Sequence, residues 1–241
     1  MRKSFFPALL ALLLPATAFA QEPPPESDPY VALVEALSLA DDLAVAQKNS
    51  LEEIRAAMSK EPDIAEIERE CAGFVDFLMT ETTPIFKEYD RIELELRKAE
   101  LVRFYREEMS LEDARAAQHF YSSDLGRKLV ASLMANQSME STLDAAFADP
   151  ESEELIREEE VLSDNRRSAQ KALAALSPSD LAQIKAVMAE EKWASEMHRL
   201  RPLTFKAMLE IANSDFAPHL DARLDEVMST VADTHLETCE P

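Results

Sequence analysis

The groups in this chain that could carry chemistry are four histidines, two cysteines and a large surplus of carboxylates. His119, His198, His219 and His235 never stand four apart from one another, so no helix face offers a metal two imidazoles. His235 and Cys239 do have that spacing, with Asp233 and Glu237 beside them. Structural zinc sites are closed by four ligands, mostly thiolate and imidazole. One of each with carboxylates is a poor set, and no metal is expected. His-Glu-x-x-His, Gly-x-Ser-x-Gly, Cys-x-x-Cys and the glycine-rich phosphate loop do not occur in the sequence. Carboxylate pairs are too numerous for any one to stand out as an acid and base. The reading is a chain with no catalytic residue and no cofactor.

The elements that must position these groups are helices. Two glycines in 241 residues leave almost nothing for tight hairpin turns. Alanine, leucine, glutamate, lysine and methionine, all good helix formers, dominate instead. The expected fold is all-α, a bundle of antiparallel amphipathic helices. Asp28-Pro29 opens a first helix to about Asn49, and Ser50 with Glu53 forms a capping box for a short one. Pro62 opens the next, with Ile64, Ile67, Cys71, Phe74 and Leu78 as its apolar stripe. Thr83-Pro84 starts a long helix whose inward face reads Ile85, Tyr89, Ile92, Leu96 and Ala99. Pro178, Pro202 and Pro218 open later helices, and Asn136-Gln137 marks a bend.

The richest stretch runs from Phe104 to Leu129. Ser110 and Asp113 form a capping box with aspartate in place of glutamate, and Ser122-Ser123-Asp124 closes one helix and caps the next. Phe120 and Tyr121 are read as core residues packed near Gly126. Lys128 and Arg127 are expected to pair with local acids such as Asp124, Glu107, Glu108 or Glu112. The pattern Phe120-Tyr121-x-Ser123-x-x-Gly126-x-Lys128, behind the helix start at Ser110, resembles the domain of unknown function 2059 family. The resemblance implies a small helical domain of exported bacterial proteins and brings no catalytic residue with it. Asp124 stands where the family pattern usually has proline.

Asp149-Pro150-Glu151-Ser152 is the expected boundary between an N-terminal half, residues 29–148, and a C-terminal half, residues 149–241. The cap at Ser177 and Asp180 repeats that at Ser110 and Asp113, so the two halves read as similar helical units, with Trp193 falling where Gly126 would.

Residues 1–20 read as a signal peptide: Arg2 and Lys3, an apolar run from Phe5 to Leu14, and the small-residue site Ala18-Phe19-Ala20. Residues 21–28 follow as a proline- and glutamate-rich leader. A periplasmic, soluble protein is expected, not a membrane-embedded one, since the apolar run is shorter than the ~20 residues a span needs. The net charge of -22 repels nucleic acid. These features favour a non-enzymatic module that binds an unidentified envelope protein or peptide. The alternatives are a carrier of a small apolar ligand between the halves and a carboxylate-based hydrolase in a helical cleft.

Export also bears on the cysteines. An even pair in an oxidising compartment points to a disulfide between Cys71 and Cys239. The alternative has Cys71 as a small buried hydrophobe and Cys239 as a free thiol. The bridge predicts that denatured, unreduced protein yields no thiol to a titrating reagent. Reduction is then expected to lower the melting temperature, by up to about 5 kcal/mol of stability in the chain-entropy account. Two titratable thiols refute it.

Overall fold

Helix follows helix as the glycine-poor composition dictates. The structure is a computed structural model that describes residues 28–149 and 156–238. The expected signal peptide, most of the leader, most of the expected boundary at Asp149–Ser152 and Cys239 lie outside the described residues. Eleven helices and no strand occur among the described residues. They are α1 (Pro29–Ala36), α2 (Ala40–Met58), α3 (Pro62–Glu70), α4 (Phe74–Glu108), α5 (Leu111–Ser122) and α6 (Asp124–Ala135). The chain continues with α7 (Glu140–Ala148), α8 (Glu158–Ala175), α9 (Pro178–Glu190), α10 (Lys192–Ala212) and α11 (Pro218–Thr238).

Caps decide several boundaries. Asp28 accepts from Tyr30 N at 2.9 Å, Ser110 from Asp113 N at 3.1 Å, Ser123 from Gly126 N at 3.2 Å and Ser177 from Asp180 N at 3.1 Å. Each satisfies an orphan amide of the first turn. The Ser50–Glu53 box does not form. Both residues lie inside α2, Ser50 is buried, and Glu53 instead accepts from Met139 N at 2.6 Å. The expected first helix to Asn49 is broken in two at Leu37–Leu39.

The stripe expected to run unbroken from Ile64 to Leu78 is divided at Cys71–Gly73, where Gly73 has φ 93. Glu68 holds the two pieces together, accepting from Gly73 N and Val75 N, both at 2.8 Å. Pro84 and Pro202, read as helix starts, lie inside α4 and α10. An internal proline costs about 3 kcal/mol. Burying Ile85, Phe86 and Tyr89 just beyond Pro84 returns about 1.5 to 3 kcal/mol each, so α4 runs on.

α4 is the shared spine. Its first half joins Ile54, Met58, Met139, Leu143, Leu220 and Leu224 in one core cluster. Its end brings Tyr105 to a second with Leu33, Phe120, Leu129, Ile184, Trp193 and Leu200. Each cluster draws on residues before 149 and after 156, so the two halves of the chain share their cores.

α7 has no side-chain cap of its own at Met139. Asp164, on the buried face of α8, accepts from Ser141 N at 2.8 Å, Thr142 N at 2.9 Å and Thr142 Oγ1 at 2.8 Å. Ser168, one turn on, accepts from Ser138 N at 3.0 Å. Asp164→Ala is expected to lower stability by about 3 kcal/mol, since it strands these amides in a closed interface. Asp164→Asn keeps one acceptor and should cost roughly half as much. Urea denaturation of both variants measures the difference.

Candidate functional site

The sequence signature gathers at the corner between α5 and α6. Ser123 Oγ donates to Phe120 O at 2.6 Å while it caps Gly126 N. A Cβ on Gly126 would lie 2.1 Å from Phe120 O and 2.6 Å from Tyr121 Cα, so the helices meet backbone to backbone. Phe120 stacks edge-on to Tyr121 at 5.1 Å, and Trp193 of α10 packs on both rings, at 5.2 and 5.7 Å. Burial pushes the Tyr121 phenol up to about 12.

Lys128 pairs with Asp180 of α9 at 3.3 Å, not with the local acids the sequence offered. Lys192 of α10 pairs with Asp113 at 2.6 Å, and that contact, with the Ser110 hydroxyl, holds the Asp113 carboxyl below its ordinary range. The hairpin α5–α6 and the hairpin α9–α10 thus exchange bridges, each lysine reaching the other hairpin's capping acid. Ser110, Asp113, Phe120, Tyr121, Ser123, Gly126 and Lys128 are all engaged in capping or joining helices.

His119 is exposed at the end of α5. The side chain of His235 and all of Cys239 lie outside what is described, and no set of three His, Cys, Asp or Glu gathers as for a metal among the described residues.

A different place has the form of a site. A cavity of about 400 Å³ opens between α4, α6, α8 and α10. α4 contributes Arg97 and Leu101, and α6 with its following turn contributes Leu133, Met134 and Gln137. α8 adds Val161, Asn165, Ser168 and Ala169. α10 supplies Arg201, Thr204, Phe205, Met208, Leu209 and Ala212. Ile156 closes one side, fixed by a reciprocal pair: its N–H donates to Asn213 Oδ1 at 3.2 Å, and Asn213 Nδ2 donates to its carbonyl at 2.8 Å.

The α4 wall departs from the inward face read in sequence. Leu96 is 41% exposed and Ala99 is exposed, while Asp90, Glu93 and Arg97 are buried. Arg97 Nε donates to Glu93 Oε1 at 2.7 Å. Its Nη2 stands 2.6 Å from the same oxygen without hydrogen-bond geometry and has no acceptor. Burial raises the Glu93 carboxyl and Arg97 pulls it back, with the rise prevailing. One turn earlier Gln47 Nε2 donates to Asp90 Oδ2 at 2.5 Å, and Oδ1 has no partner. Burial drives Asp90 up to about 8, so it is mostly protonated at neutral pH. Hydrophobic periodicity cannot find such residues, because they interrupt the apolar pattern it follows.

Fold and site together define an all-helical protein with an apolar, arginine-bearing cavity, and no helix among the described residues is long and apolar enough to cross a membrane. Residues 98–146 match the family model described as uncharacterized protein conserved in bacteria (DUF2059), the family that the stretch from Phe120 to Lys128 resembles. That segment runs from late α4 into α7 and includes Leu101, Leu133, Met134 and Gln137 of the cavity wall. No curated protein and no solved structure matches the chain.

Asp90 yields a pH prediction. Its folded pKa of about 8 exceeds the unfolded 3.8, so the native state holds the proton more tightly. The stabilisation is full below about pH 4 and is lost as pH rises through about 8. The neutral Asp90→Asn is therefore expected to gain melting temperature relative to wild type across that interval. Parallel melting curves for the two proteins contradict it.

Proposed function

We propose that the protein is an exported, non-enzymatic binding protein of the bacterial cell envelope, whose ligand is a small molecule with an apolar body. The observation that carries this reading is the cavity between α4, α6, α8 and α10, walled by residues from both halves of the chain, before 149 and after 156. Its volume of about 400 Å³ falls within the range of small-molecule sites, and such sites favour the seam between packed units. The wall chemistry supports holding over reacting. It offers guanidinium, amide and hydroxyl groups among leucine, methionine and phenylalanine, and no histidine, cysteine or carboxylate is among the lining residues. The one buried hydroxyl there, Ser168, is committed to Asp164 O and Ser138 N.

Export rests on the basic, apolar and small-residue order of residues 1–20. The match of residues 98–146 to a family model of bacterial proteins agrees with a bacterial setting. The carrier reading is preferred to a peptide-binding one because the concavity is walled by four helices and lined mainly by apolar side chains. The groove between α2 and α4, of about 670 Å³, is edged instead by Lys48, Glu52, Arg55, Asp76 and Lys87.

The test is uptake of a polarity-sensitive dye, N-phenylnaphthylamine, by the mature protein. Wild type is expected to brighten the dye saturably. Met208→Trp, which fills the cavity from α10, should weaken uptake about tenfold or more, the loss expected when an apolar body is excluded. A dye that wild type ignores, or that both proteins bind equally with unchanged melting temperatures, overturns the reading.

A further inference from the structure

The cavity walls differ in charge from the rest of the molecule. The chain carries 47 acidic residues against 25 lysines and arginines, yet the cavity is lined by two arginines and no acid. Two other concavities mix the signs, with Glu52, Asp76 and Arg55 in one and Glu52, Glu53 and Lys171 in the other. A wall of one sign, opposite to that of the surface, selects the charge of what enters.

The two arginines come from facing helices. Arg97 of α4 is 7% exposed and ion-pairs with Glu93, donating through Nε, while Nη2 stands 2.6 Å from the same oxygen without making a hydrogen bond. A guanidinium has five N–H donors in a planar fork suited to carboxylate, and a buried donor with no acceptor is the feature an incoming oxygen would complete. Arg201 of α10 is exposed at the same cavity and has no ion-pair partner among the described residues. Leu101, Leu133, Phe205, Met208 and Leu209 supply the apolar remainder.

Resting on the reading of this cavity as a ligand site, we infer that its ligand is an anionic amphiphile, a medium-chain carboxylate, with the head group on Arg97 and Arg201 and the chain along the α6 and α10 walls. Glu93 sits behind Arg97 and does not line the cavity, so it fixes the guanidinium without meeting the ligand. The two arginines are binding residues; nothing in the inference requires a bond to form or break.

The experiment compares decanoate, decanol and decylammonium on the mature protein by calorimetry, well below the micelle range. One chain with three heads separates the head group from the cavity. Decanoate is expected to bind about tenfold or more tightly than decanol, the difference a charge-assisted contact makes, and decylammonium should bind weakest. In Arg97→Met combined with Glu93→Gln, which buries no lone charge, that preference should vanish while decanol binding persists. If the double variant does not fold, Arg201→Gln decides, and there the preference must shrink. Equal binding of decanoate and decanol to wild type, or an undiminished preference in either variant, overturns the head-group inference and leaves the cavity reading standing. Failure of all three ligands to bind removes the cavity reading itself.

Discussion

The carboxylate of Asp164 is the contact on which the arrangement turns. It accepts three hydrogen bonds from the first turn of α7, across two helices that sequence separates by more than twenty residues. A helix start with no cap of its own leaves amides that must be satisfied somewhere. Here α8 supplies the acceptors through Asp164 and Ser168, and α2 adds Glu53. Because Val161, Asn165 and Ser168 lie on the same stretch of α8, the contact that starts α7 also sets one wall of the cavity. Stability and site geometry are here the same interaction.

The second constraint is the length of α4. A helix of 35 residues spans both core clusters, and its middle turns pass between them. That passage is where Asp90, Glu93 and Arg97 are buried, with Gln47 reaching in from α2. Buried charge is tolerated when paired and hydrogen-bonded, and it is costly when it is not. Glu93 and Arg97 satisfy the first condition in part, and Asp90 escapes the second by keeping its proton. Polar groups at the centre of an otherwise apolar spine thus keep the space beside them from being filled by simple hydrophobic packing.

Much of the fold was legible in the sequence because its signals are local. Two glycines pointed to helices, and the serine and aspartate caps at Asp28, Ser110, Ser123 and Ser177 lie within three residues of the amides they serve. The expectations that failed concern signals whose meaning is set at a distance. Ser50 and Glu53 have the spacing of a box, but Glu53 finds a better amide on Met139. Pro84 and Pro202 look like helix starts, yet the apolar residues beyond them favour continuation. Leu96 and Ala99 continue the apolar spacing of Ile85, Tyr89 and Ile92, which do face the core, yet both are exposed, while Asp90, Glu93 and Arg97 are buried. For the same reason the cavity could be named only as a space between the halves: Arg97 and Arg201 are ordinary surface residues until the fold brings their helices together.

The exchanged lysine bridges bear on how this chain can change over generations. Asp113 is held by Lys192 and Asp180 by Lys128, so each hairpin carries the counter-charge for the other's cap. A chimera taking residues 110–135 from one relative and 177–212 from another brings together partners that have not drifted in step. Where one relative has traded a lysine for an acid, the graft sets like charges against a capping carboxylate. Recombination through the middle of this chain is therefore constrained by paired positions on both sides of the crossover, and substitutions at 113 and 192, or at 128 and 180, are expected to travel together.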